Sequence, residues 1–170
     1  HYSPHFLNGF TKDGYCSEGV GYWNYGYGNY TMMAQNFRLA TAGEVDLFKL
    51  PGAAEPATYG ARISIVPGVV PAFADCSLSA NPAYSLLHVL NKVYGWNQKE
   101  YANAPPGGST AGSLFEAILY HSFRQTSMAP GSAAGLPQAG GVRTSFDEAG
   151  VFIARPAALT GRSLAVAFKG

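Results

Sequence analysis

Residues 13–30 concentrate the side chains of this sequence that could do chemistry. Six aromatic rings, five glycines and two carboxylates fall within these eighteen residues. Aromatic faces stack on sugar rings, and the polar ends of Asn, Glu and Tyr hydrogen-bond to sugar hydroxyls. A tyrosine can also transfer a proton when a nearby cation lowers its pKa from about 10. The stretch therefore allows two interpretations, a carbohydrate-binding surface or an aromatic core packed closely around glycines.

Three side chains of the stretch are candidates for contact with a sugar, apart from the tyrosines. Trp23 offers a ring for stacking and Asn24 offers an amide for hydrogen bonding. Glu18 precedes Tyr22 by four residues, so the two face the same side if the helix starts early. There Glu18 could orient a sugar or a catalytic partner. Alternatively, it is an exposed carboxylate that complements the helix dipole.

Size and charge exclude several classes of function. A chain of 170 residues is expected to form one domain with a core of its own. Charged residues make up 12%, below the usual 25% or so, and the net charge is +1. No basic run follows a phosphate backbone, so no nucleic-acid partner is expected. No stretch resembles a membrane span or a signal peptide, and no membrane partner is expected.

Cysteines and histidines give no indication of a metal site. Cys16 and Cys76 are too few for a disulfide framework or a zinc site, and we expect two buried thiols. No two of the four histidines have the spacing of metal ligands. Neither a metal nor another cofactor is therefore expected.

Helical signals occupy the first three quarters of the chain. Larger side chains recur near every 3.6 residues from Tyr22 and predict a helix to about Ala42, with Gly43 at its C-terminal cap. Asn81 and Pro82 predict a second helix start, Asn as the cap and Pro at the first helical position, with an end at Gly95. A capping box at residues 113–116 predicts a third helix to about residue 123. Residues 57–66 fit either a short helix or a strand.

Strand signals follow at the C-terminal end. The period changes in residues 150–155 and 162–169, which carry Val, Phe and Ile, with Thr160 and Gly161 at the intervening turn. That pattern predicts a β-hairpin. Helices followed by strands indicate the α+β class.

Five pieces of the sequence together resemble heparinase II/III-like polysaccharide lyases, which include alginate and heparin lyases. The first is Asp-Gly-Tyr-x-x-Glu-Gly-x-x-Tyr-Trp-x-Tyr, beginning at Asp13. The others follow in the same order and span most of the chain: residues 71–76, 112–117, 146–155 and 164–170.

The resemblance implies a partial (α/α) toroid followed by the first strands of an antiparallel β-sandwich. Residues 1–126 would be the C-terminal part of the toroid, 127–142 a linker and 143–170 the start of the sandwich. The chain would then be a piece of a longer protein, secreted or periplasmic.

The resemblance also implies a reaction. The family cleaves acidic, uronic-acid-containing glycans by β-elimination, in which a base removes the C5 proton and an acid protonates the departing O4. Tyr22 matches the tyrosine that serves as the acid, or as acid and base, in the family. Tyr25, one helical turn further on, is the second candidate for this role. From its place in the predicted third helix, His121 is a candidate residue of a substrate-binding pocket. Four arginines could each bind an anionic sugar, although such arginines are usually solvated: Arg62, Arg124, Arg143 and Arg155.

The family's other catalytic groups have no match here. The Asn or His that neutralises the substrate carboxylate lies upstream in the family, and a His-rich motif follows the position of Gly170. The expected function is thus a lyase fragment that is inactive alone, and the alternative is a non-catalytic carbohydrate-binding or structural module. Which uronic polymer is bound stays open. We further expect an exposed apolar surface, on the helix over residues 81–94 or 113–123, and an unpaired last strand, either of which would cause self-association.

Overall fold

A computed structural model describes residues 3–103, 142–158, 160–161 and 163–170 of the chain. Within these residues, four helices precede a three-stranded antiparallel sheet, which confirms the α+β class. The helices are α1 (Ser3–Leu7), α2 (Val20–Ala40), α3 (Ala54–Arg62) and α4 (Tyr84–Val93), and the strands are β1 (Arg143–Phe146), β2 (Val151–Ala154) and β3 (Val166–Lys169). Short 3-10 turns occupy Leu47–Lys49, Lys99–Tyr101 and Asp147–Ala149. The predicted linker and third helix lie outside the described residues.

Helix α2 confirms the periodicity from Tyr22, starting two residues earlier and ending at Ala40. Its C-terminus closes with the Gly43 N–H donating to the Arg38 carbonyl at 2.7 Å. Gly43 is at the predicted end, yet Ala42 before it is also left-handed, with φ 51°. A side chain in this conformation crowds the following carbonyl, so the turn that closes the helix contains a strained alanine.

Replacing Ala42 by Gly should stabilise the protein. Glycine would relieve the strain of the left-handed alanine, which is about 1–2 kcal/mol. Glycine also loses more conformational entropy on folding than alanine, and this loss reduces the gain by about 0.5–1 kcal/mol. We expect a net gain of about 0.5–1 kcal/mol in the free energy of unfolding, measured by urea denaturation. Ala40→Gly, in the last helical turn, is the control and should destabilise by a similar amount. A loss of stability in Ala42→Gly would contradict this account of the helix end.

Helix α4 differs from its predicted form at the start and in its exposure. It begins at Tyr84 after the N-cap Ala83, so Asn81 is not the cap and Pro82 is not the first helical residue. Eight of its ten residues are buried, since the helix packs against α3 and the core. The prediction of an exposed apolar surface on this helix is therefore wrong.

The ambiguous residues 57–66 fall mainly in α3, which resolves them as a helix ending at Arg62. The predicted hairpin is confirmed by the antiparallel pairing of β2 with β3. Strand β1 was not predicted, and β3 starts at Val166 rather than at residue 162.

The sheet packs on the helices through one shared hydrophobic cluster. Phe146, Val151 and Ile153 of the sheet are buried in it. Phe146 meets Tyr15 and Tyr59, with ring centroids 5.3 and 5.7 Å away. Helices and sheet therefore hold residues 13–19, which lead into α2, between them.

Candidate functional site

The first half of α2 divides its aromatic residues between the core and the surface. Trp23, Tyr27 and Tyr30 point inward and are buried, whereas Tyr22 and Tyr25 point outward. The division follows the helical period, because Trp23, Tyr27 and Tyr30 recur at intervals of four and three residues. The aromatic stretch is thus partly a packed core and partly an exposed surface. The core interpretation is confirmed for Trp23, Tyr27 and Tyr30, and the carbohydrate-binding interpretation stays a prediction for the exposed residues.

The buried rings have structural partners for their polar atoms. The Trp23 indole N–H donates to the Pro56 carbonyl at 2.8 Å, and the Tyr30 hydroxyl donates to the Leu47 carbonyl at 2.7 Å. The Tyr27 hydroxyl donates to the Ala53 carbonyl. Trp23 is completely buried, so its ring has no face on which a sugar could stack.

Burial also keeps the inner phenols neutral. It raises the pKa of Tyr30 to about 12, with a smaller contribution from Asp46, because an ionised phenol loses its hydration. Burial raises the pKa of Tyr27 well above its ordinary value, and Tyr94 adds to the effect. Neither residue is suited to release a proton near neutral pH.

Tyr22 and Tyr25 form the exposed part of the site. Their side chains are 50% and 74% exposed, respectively. Neither hydroxyl has a hydrogen-bond partner among the described residues. The two phenols are therefore accessible to a ligand, and their hydroxyls form no hydrogen bond that stabilises the described part of the fold.

Gly19 determines where α2, and hence Tyr22, begins. Its φ of 89° is left-handed, and a Cβ on it would lie 2.8 Å from the Cβ of Cys76. Only glycine fits this conformation and this contact. Glu18 is exposed just before this residue and lies outside the helix, which starts at Val20.

Asn24 connects α2 with the start of α4. Its amide N–H donates to the Asn81 carbonyl at 2.9 Å, and its amide oxygen accepts from the Ala83 N–H at 2.8 Å. Ala83 has no capping side chain of its own, so Asn24 acts as a cap supplied by another helix. Both ends of the amide proposed to contact a sugar are engaged by backbone groups.

Removing this cap should weaken the junction of the two helices. We expect Asn24→Ala to lower the free energy of unfolding by about 1–2 kcal/mol, since it leaves the Ala83 N–H without its acceptor. Asn24→Asp is the matched control, because it keeps the acceptor and loses only the donor to Asn81. It should cost less than Asn24→Ala in chemical denaturation at neutral pH. Equal losses in both variants would contradict the capping role.

The remaining candidates are distributed elsewhere. His121 and Arg124 lie outside the described residues. Arg62 and Arg155 are not solvated as arginines usually are: they bond to backbone carbonyls between the helices and the sheet. The structure brings four of the predicted site residues, Tyr22, Trp23, Asn24 and Tyr25, into one helix. Of these four, the two tyrosines are exposed.

The cysteines are both buried and free, as expected. Burial raises the pKa of Cys16, so its thiol is not activated as a nucleophile. Within the described residues, no three His, Cys, Asp or Glu side chains gather where they could hold a metal ion. None of the described helices is both long and apolar enough to cross a membrane.

The loop before α4 was not recognised as a neighbour of the site. Its Phe73 carbonyl and Cys76 side chain contact Gly19. No local pattern signals this contact, because more than fifty residues separate the two sides. Only the fold brings the loop against the start of α2.

Comparison of the chain with protein-family models, curated proteins and solved structures finds no match.

Proposed function

We propose that the chain is part of a polysaccharide lyase that acts on an acidic, uronic-acid-containing glycan. The observation that carries the proposal is the pair of exposed tyrosines on α2. Large aromatic side chains are usually withdrawn from water, and an exposed aromatic pair with free hydroxyls suits contact with a hydroxyl-rich ligand. The likeness of residues 13–25 to the lyase signature supports the same function.

In this proposal Tyr22 donates the proton to the departing O4. A neutral phenol carries one O–H that can be donated, and the exposed position of Tyr22 lets a glycan approach it. Tyr25 lies about one turn further along and stacks on a neighbouring sugar ring. The base and the group that neutralises the substrate carboxylate belong to other parts of the full-length protein, so the 170-residue chain alone is expected to be inactive. The partial toroid and β-sandwich are part of the proposal, as is a secreted or periplasmic location.

Replacing Tyr22 by Phe tests the assignment. In the full-length protein, we expect Tyr22→Phe to lower elimination by about 10²-fold or more and to leave affinity nearly unchanged, because only the donated hydroxyl is lost. The assay is the ultraviolet absorbance of the new double bond, with alginate, heparan sulfate and hyaluronan as substrates. Tyr25→Phe is the control and should retain most activity. Undiminished turnover by Tyr22→Phe would remove Tyr22 from the mechanism, and a loss confined to Tyr25→Phe would transfer the role to Tyr25.

A non-catalytic carbohydrate-binding module is the second candidate. The surroundings of the tyrosines favour it. A catalytic hydroxyl is usually assisted by a neighbouring side chain, and no described side chain forms a hydrogen bond with the hydroxyl of Tyr22 or Tyr25. The same experiment separates the candidates. Binding of a polymer that is lost in Tyr25→Ala, with no unsaturated product from the full-length protein, would identify a binding module.

We also propose self-association through the sheet. Among the described strands, β3 pairs only with β2, and no other described strand lies along its outer edge. Leu164 and Phe168 beside this edge are 78% and 62% exposed. The one charged residue of β3, Lys169, has its ammonium 5.6 Å from the centre of the Tyr15 ring, on the side of the helices. Phe168 leaves the other face of the strand apolar, and an apolar edge strand is prone to pair with another chain.

Light scattering tests the association. We expect the 170-residue chain to have a solution mass above its monomer mass of 17.9 kDa, and Phe168→Lys to shift it toward the monomer. The substitution places a second charge next to Lys169, and like charges oppose pairing of two identical edges. A monomer in the unsubstituted chain would contradict the proposal.

A further inference from the structure

Residues 13–15 are held between α3 and the sheet. A Cβ on Gly14 would lie 2.2 Å from the Glu55 carbonyl oxygen, so the backbone lies directly on the first turn of α3. Tyr15 is buried against Tyr59 and Phe146, with ring centroids 5.4 and 5.3 Å away. The start of the tyrosine-bearing stretch is thus positioned by contacts from both sides.

The side chain of Arg62 connects α3 with residues 13–15 and with the sheet. Its guanidinium donates to the Asp13 carbonyl and to the Ser145 carbonyl of β1, each at 2.8 Å. It also lies 4.2 Å from the centre of the Phe146 ring, within the range of a cation–π interaction. Because the guanidinium is a rigid planar fork, the two bonds define the distance between residue 13 and the sheet.

A short connection leads from these contacts to Tyr22. The Gly19 N–H donates to the Cys16 carbonyl at 3.2 Å, and the Trp23 N–H donates to the Gly19 carbonyl at 3.0 Å. Gly19 is itself confined by Cys76. Residues 16–23 thus connect the segment that Arg62 holds with the first turn of α2, where Tyr22 is located.

We propose that Arg62 is a positioning residue for Tyr22, through which the sheet controls the glycan-binding face of α2. The inference rests on the proposed function, in that Tyr22 and Tyr25 contact the glycan. Arg62 itself touches no ligand. It acts by holding residues 13–15, and the sheet thereby affects binding at a surface formed by a helix.

Arg155 provides a matched control. It lies at the same junction of helices and sheet, and its guanidinium donates to the Ser64 carbonyl at 2.7 Å, the Arg62 carbonyl at 2.6 Å and the Thr144 hydroxyl at 2.8 Å. None of these partners belongs to residues 13–19. These three bonds join Arg155 to α3, to the residues just after it and to β1, and none of them reaches the segment that leads into α2.

Amide hydrogen exchange tests the coupling without any ligand. In the full-length protein, we expect Arg62→Gln to speed exchange of the Tyr15, Gly19 and Trp23 amides by about tenfold relative to Arg155→Gln. Rates are normalised to the Tyr94 amide, which bonds to the Leu90 carbonyl in α4 and lies outside this connection. Arg62→Lys keeps the charge but loses the planar guanidinium, so it should increase the exchange rates by a smaller factor. It replaces Arg62→Gln in the experiment if that variant does not fold. Equal exchange in the Arg62 and Arg155 variants would overturn the proposal.

Binding completes the test, with alginate, heparan sulfate and hyaluronan oligosaccharides as ligands. Arg62→Gln should raise the dissociation constant by roughly fivefold to tenfold, while Arg155→Gln stays within about twofold. If Tyr25→Ala loses binding and Arg62→Gln does not, the positioning role is wrong and the proposed function stands. If the unsubstituted protein binds none of the three, the proposed function fails, and the exchange rates alone decide whether Arg62 holds the start of α2.

Discussion

The rotation of α2 about its axis depends on one buried side chain, Trp23. A Cβ on Gly60 of α3 would lie 2.5 Å from the Trp23 ring, so the two helices approach as closely as glycine permits. The indole N–H is bonded to the Pro56 carbonyl, which fixes the ring in one orientation. Tyr27 stacks nearly parallel to Trp23 at 6.1 Å and continues the same inner face. With Trp23 inward, the helical period turns Tyr22 and Tyr25 to the outside.

The junction of helices and sheet combines apolar packing with two partly buried charges. Arg62 and Arg155 donate to backbone carbonyls there, and burial lowers the pKa of both guanidinium groups. A guanidinium stays charged in proteins, so its desolvation has to be offset by hydrogen bonds. Carbonyls near the ends of α3 and the strands supply these bonds, and each charged hydrogen bond contributes about 1.5–3 kcal/mol. The directional bonds also define the register in which the sheet meets the helices.

Patterns along the chain predicted those elements whose formation depends on neighbours in sequence. The period from Tyr22 predicted α2 to within two residues at each end, and the strand-forming side chains after Gly150 predicted the pairing of β2 with β3. The predictions failed where distant residues compete with local preference. Asn81 has the chemistry of a cap, but Asn24 supplies the acceptor for the start of α4 instead. Strand β1 carries mostly polar residues and is stabilised by its pairing with β2, which no local pattern shows.

The candidate site shows the same division. The sequence by itself determined that residues 13–30 hold many aromatic and hydrogen-bonding groups and that those from Tyr22 onward lie on a helix, because composition and period are local properties. It did not determine which of these groups reach the solvent. Tyr22, Trp23 and Asn24 are adjacent in sequence, yet one is exposed, one is completely buried and one caps another helix. Only the tertiary structure decided this, because close packing against Gly60 and the approach of α4 select the face of α2 that turns inward.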